Sequence, residues 1–103
     1  MNDTLQMTML FDFYGDLLTD KQQEYFTLYH NEDFSLSEIA EIKNISKPGV
    51  YDIITRAEKT LTQIEQKTGI IQKWLETRAV LEADTDKSKF HPAILNYFQM
   101  ENS

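Results

Sequence analysis

Apolar residues recur at helical spacing along most of the chain. Met7, Leu10, Phe11, Tyr14, Leu17 and Leu18 fall three and four residues apart, which puts them on one face of a first helix. Thr19 opens T-D-K-Q, with Gln22 three residues on. That is a capping box: the threonine oxygen accepts an orphan backbone N–H, and the glutamine side chain reaches back to the cap. A second helix carries Tyr25, Phe26, Leu28 and Tyr29 and ends near Asn31 to Asp33. Ser35 opens another box, S-L-S-E, ahead of Leu36, Ile39, Ala40 and Ile42. A longer stripe follows in Val50, Ile53, Ile54, Ala57, Leu61 and Ile64. Gly69 costs a helix interior about 1 kcal/mol relative to Ala. The stripe is therefore expected to break there, with a separate helix near 70–83 holding Ile71, Trp74, Leu75 and Leu81. Ala83 to Lys89 reads as a polar loop, and Pro92, Ile94, Leu95 and Phe98 as a short terminal helix.

The stretch from Glu41 to Ile54, EIKNISKPGVYDII, is the joint between the third and fourth helices. A helix-turn-helix unit needs a small residue where its helices cross, and Ala40 is there. Four residues on, Asn44 tolerates the positive φ of a sharp reversal. Ile45 anchors the turn in the core, Ser46 caps the next helix, and Val50 and Ile53 return to the buried side. Pro48 falls in the first turn, where a missing N–H costs little. Gly49 has no evident role in this pattern. The prediction is an all-α protein: a helix-turn-helix core of about four helices over 1–66, and a C-terminal extension of one or two helices over 67–103.

With Val50, Ile53, Ile54 and Ala57 inward, the fourth helix turns Lys47, Tyr51, Asp52, Thr55, Arg56 and Lys59 outward. In a nucleic-acid reader these positions meet base edges while nearby cations hold phosphates. Ser46, Lys47, Tyr51, Thr55, Arg56 and Lys59 are thus the candidate nucleic-acid-binding residues. Lys47 and the N–H groups of the first turn are candidates for a phosphate. Charge pulls the other way. The 103 residues carry a net charge of -7, and the cations between Ser35 and Thr60 are balanced by Glu38, Glu41, Asp52 and Glu58. General attraction to phosphates is excluded, and only a local basic face can support such binding.

The remaining chemistry narrows the picture further. The absence of cysteine excludes disulfides and thiolate metal sites. Asp84-x-Asp86-x-Ser88 begins like a calcium loop, but Lys89 and Leu95 stand where that loop needs Gly and Glu. His30, beside Glu32 and Asp33, reads as part of a solvated cluster. No phosphate loop or paired His/Cys arrangement is present, so no catalytic residue, metal or cofactor is expected. The N-terminus lacks the basic region of a signal peptide, and no apolar run approaches the roughly 20 residues of a membrane span. A cytoplasmic protein without membrane insertion is expected. The aromatic tail, with Trp74, Phe90, Tyr97 and Phe98, predicts a homodimer through the long helix and the C-terminal part.

LFDFYG, LLT-KQQEY, SL-EIAE, NIS and VYD occur in order between Leu10 and Leu61. In this the chain resembles the YlxM family of small Gram-positive bacterial proteins, related in fold to the region-four helix-turn-helix of sigma factors. The resemblance implies a region-four-like four-helix core with an added C-terminal helical part. Family genes typically neighbour those of the signal recognition particle. That implies an accessory or regulatory factor of this pathway, contacting its RNA or its GTPases, without catalysis. Family members usually begin the second helix of the unit S-R-Q-A-V-Y-D, where this chain has Ser46-Lys47-Pro48-Gly49-Val50-Tyr51-Asp52. Lys47 keeps the charge without the planar fork of arginine. Two other readings stand beside this one: a DNA-binding transcription regulator, and a protein-interaction module with a degenerate helix-turn-helix.

Overall fold

The structure is a computed structural model and describes residues 4–83. Among these residues it holds five α-helices and no strand: α1 (Thr4–Tyr14), α2 (Asp20–Phe26), α3 (Leu36–Lys43), α4 (Lys47–Thr68) and α5 (Ile70–Ala83). The all-α prediction, with a helix-turn-helix in its core, is what the chain adopts. The expected polar loop from 84 onward and the terminal helix after Pro92 lie outside the described residues. The chain divides after Gly69 into two compact units.

In the first unit α4 packs against α1, α2 and α3. Its length follows from its ends. Ser46 accepts the Gly49 N–H at 3.1 Å, and Gly69 closes the helix with left-handed backbone at φ 62°. Both predicted capping boxes form: Thr19 with Gln22, and Ser35 with Glu38. The Ser35 backbone N–H, with its hydroxyl, holds the exposed Glu38 carboxyl below its ordinary value of 4.5.

The turn between α3 and α4 is a Schellman motif. Asn44 takes the left-handed conformation, φ 55° and ψ 45°, and donates its N–H to Glu41. Ile45 donates to the Ala40 carbonyl at 3.1 Å. Ala40 and Ile45 pack on the cluster of Tyr25, Ile39, Val50 and Ile54, which supplies the apolar contact such caps favour. Gly49 now has a reason: a Cβ there would stand 3.1 Å from the Ser46 oxygen that caps the helix.

Three expectations are corrected in the first unit. Leu17 is 68% exposed, because α1 ends at Tyr14 and a tight 3-10 turn over Gly15–Leu17 breaks the helical period before reaching it. Ile42 is also exposed, on the side of α3 away from the cluster. His30 is not solvated. After Phe26 the second helix widens into a π turn, Thr27–Asn31, closed by the Glu32 N–H on the Thr27 carbonyl. There the His30 ring lies over Phe26, with centroids 4.3 Å apart, and its side chain is only 10% exposed. Phe26 in turn stacks on Phe11 of α1 at 4.6 Å.

In the second unit, α5 buries Ile71 and Leu81, with Trp74 half-buried. Leu75, expected among its inward residues, is exposed, as are Ile70 and Val80. No helix among the described residues is long and apolar enough to cross a membrane.

Candidate nucleic-acid interface

α4 separates its residues sharply by face. Val50, Ile54, Ala57 and Leu61 are buried, and Lys47, Tyr51, Asp52, Thr55, Arg56 and Lys59 are exposed. Lys47, Tyr51, Thr55, Arg56 and Lys59 are thus presented together on the outer side of one helix. Ser46 stands apart from them. Its oxygen is engaged by the Gly49 N–H, so its role in the structure is to start the helix.

The first turn offers less to an anion than its sequence suggested. Pro48 has no N–H, and Gly49 gives its N–H to Ser46 Oγ. Val50 donates to the Ser46 carbonyl. A phosphate at this helix end would rely on Lys47 rather than on a nest of backbone donors.

The charge on α4 differs from that of the whole chain. The helix carries Lys47, Arg56, Lys59 and Lys67 against Asp52, Glu58 and Glu65, so it is net positive in a protein of net charge -7. Each of its three acids has a partner, two of them on other elements. Asp52 Oδ2 accepts from Arg56 Nε at 2.9 Å. Glu58 Oε2 accepts from His30 Nε2 at 2.7 Å. A carboxylate only accepts, so the shared proton belongs on that ring nitrogen. Glu65 Oε1 accepts from the buried Tyr14 hydroxyl, which also bonds Thr68 Oγ1 at 2.8 Å. Among the described residues no ion pair forms at Lys47, Lys59 or Lys67. On α3, by contrast, Lys43 is tied to Glu24 at 2.7 Å and lies over the Tyr25 ring.

Asp52 is the one acid on the outer face, and its bond to Arg56 is one turn along the same helix. Both side chains are well exposed, and such pairs contribute only about 0.3–0.5 kcal/mol. Phosphate offers arginine a stronger, bidentate partner. The Asp52–Arg56 pair therefore restrains the guanidinium without committing it.

The model of the YlxM / p13-like helix-turn-helix family, UPF0122, matches residues 1–96. The chain belongs to this family. A UPF0122 protein of Caldanaerobacter subterraneus subsp. tengcongensis is 51% identical over 81 residues, covering 79% of this chain and 69% of the relative. One from Bacillus licheniformis is 46% identical over 83 residues, covering 81% and 78%. One from a Thermoanaerobacter species is 51% identical over 75 residues, and there the match spans 73% of this chain and 64% of the relative. Membership of the UPF0122 family, described as helix-turn-helix, agrees with the observed joint between α3 and α4.

Two parts of the interface were beyond sequence reasoning. Gln22, read only as a capping residue, lines a cleft with Arg56 and Lys59 of α4. Glu58 is turned off the outer face by a histidine 28 residues away. No local pattern signals either pairing. The i,i+4 spacing of Asp52 and Arg56 was the one available clue to an ion pair.

Proposed function

We propose that this protein is a non-enzymatic helix-turn-helix accessory factor that binds nucleic acid on the outer face of α4. The observation that carries the reading is the charge of that helix: net positive, with Glu58 and Glu65 bonded to other elements of the fold and Asp52 paired with Arg56 on the same face. In this role Lys47, Arg56 and Lys59 hold phosphates, Tyr51 and Thr55 approach bases or sugars, and Ser46 sets the start of the helix. The family resemblance supports a place in the signal recognition particle pathway, in the cytoplasm, with its RNA as the ligand and its proteins as further partners. Ile70, Leu75 and Val80, exposed on α5, support a homodimer, since association would cover such residues.

Fluorescence anisotropy with a labelled RNA hairpin and a labelled DNA duplex tests the reading. Three phosphate contacts per protomer give a salt slope of about -2.7. Affinity is then expected to fall about 40-fold between 50 and 200 mM salt. Preference for the hairpin supports the accessory role, and preference for the duplex moves the protein to transcriptional control. Absence of binding to either at 50 mM salt rejects nucleic acid as the ligand and leaves the protein-interaction module.

A further inference from the structure

Arg56, Lys59, Thr60 and Gln63 are spaced i, i+3, i+4 and i+7 along α4, so they share one strip of the helix surface. That strip and Thr55 form one wall of a cleft of about 580 Å³, and Gln22 of α2 lines the other side. Every lining residue carries a hydrogen-bond donor, two of them are cationic, and none is acidic. In a chain with 17 acids and 10 bases, this is a local inversion of charge.

We propose that this cleft seats a phosphate group of a nucleic-acid backbone, held by Arg56 and Lys59 and oriented by the hydroxyls and carboxamides around them. A backbone phosphodiester presents only acceptors, with its charge on two non-bridging oxygens, which suits a lining rich in donors on two sides. Gln22 is already positioned. Its Oε1 accepts the Thr19 N–H at 3.1 Å, which fixes the side chain and leaves Nε2 as its donor. Arg56 uses Nε toward Asp52, and the rest of its guanidinium fork remains for the anion. Lys59 makes no ion pair among the described residues. The inference rests on the nucleic-acid reading but shifts the phosphate grip. It places the anchor at the seam of α2 and α4, beyond the first turn of α4, where Pro48 and the Ser46–Gly49 bond leave few free N–H groups.

The test uses the full chain, labelled with ¹⁵N, titrated separately with sodium pyrophosphate, an RNA hairpin and a glutamate-rich peptide. Pyrophosphate is expected to shift the amides of Thr55, Thr60 and Gln63. The hairpin is expected to shift the same amides, and Gln63→Glu, which puts an acid in the cleft, to weaken hairpin binding about tenfold with unchanged helicity. Arg56→Gln is the second variant and is expected to act in the same direction. Hairpin binding weakened by Arg56→Gln but untouched by Gln63→Glu overturns the cleft while the nucleic-acid reading stands. Pyrophosphate shifts without hairpin binding keep the cleft as a site for a free phosphate compound and overturn that reading. A response to the acidic peptide alone overturns the proposal in favour of a protein ligand, and silence toward all three overturns it outright.

Discussion

Along the inner face of α4, Val50, Ile54, Ala57 and Leu61 are buried against the rest of the core. Along the outer face, Tyr51, Thr55, Arg56 and Lys59 are exposed. Between them lies a flank where Glu58 and Glu65 bond to His30 and Tyr14. The comparison separates what holds the helix in place from what the helix is free to do. The inner face contributes stability through area removed from water, about 1.5–3 kcal/mol for a side chain the size of leucine. The flank draws acids away from the surface. The outer face is left with its cations and one weakly paired aspartate.

The largest effects are expected from the inner face. Leu61→Ala removes a side chain with no exposure and is expected to cost about 2–5 kcal/mol. In a unit this small the thermal midpoint followed by circular dichroism should fall by on the order of 10 °C or more. A shift within error would mean that α4 is not fastened by its inner face. His30→Ala acts on the flank. It strips Glu58 of its donor and Phe26 of a ring contact, with an expected loss of about 1–3 kcal/mol. Ser35→Ala touches only the start of α3 and should cost about 1 kcal/mol.

That cap also makes a pH prediction. The Glu38 carboxyl is held below its ordinary value by the Ser35 N–H and hydroxyl. A carboxyl depressed in the folded state stabilises it above the unfolded value and loses that contribution as pH falls through the folded one. Wild-type stability should therefore lose this part on acidification below about pH 4.5, and Glu38→Gln should remove it from the pH profile of urea unfolding.

Substitutions on the outer face are expected to have the smallest effects on stability. Lys47→Gln and Asp52→Asn should each change it by no more than about 0.5 kcal/mol. Their effects on binding are opposite. Lys47→Gln should lower the salt slope by about 0.9. Asp52→Asn releases Arg56 and removes the one acid from the face, so anisotropy should record tighter binding. Equal affinity of Asp52→Asn and wild type would place the nucleic acid elsewhere.

The joint from Ala40 to Val50 was legible residue by residue, because its determinants are local. A left-handed Asn44, an anchoring Ile45 and a capping Ser46 each act within four residues of themselves. Both capping boxes were legible for the same reason. Periodicity misled where it ran past a helix end or off the buried face, as at Leu17 and Ile42. It also placed Leu75 inward on α5, where it is exposed. The candidate site was half legible. Spacing alone assigned Tyr51, Thr55, Arg56 and Lys59 to the outside. It could not reveal that Glu58 answers to His30 or Glu65 to Tyr14, since those partners meet only through the packing of α1 and the π turn against α4. Counting acids along the sequence thus gave them equal weight, although two of the three on α4 are held by other elements.

Contact between the outer face of α4 and nucleic acid is the step on which the other expectations depend. It is tested most directly by mapping amide shifts of the ¹⁵N-labelled chain as an RNA hairpin is added at low salt. Shifts are expected to concentrate from Lys47 to Gln63 on the exposed side of α4, with Gln22 joining them. Shifts confined to α1, α5 or the opposite side of the core would contradict it.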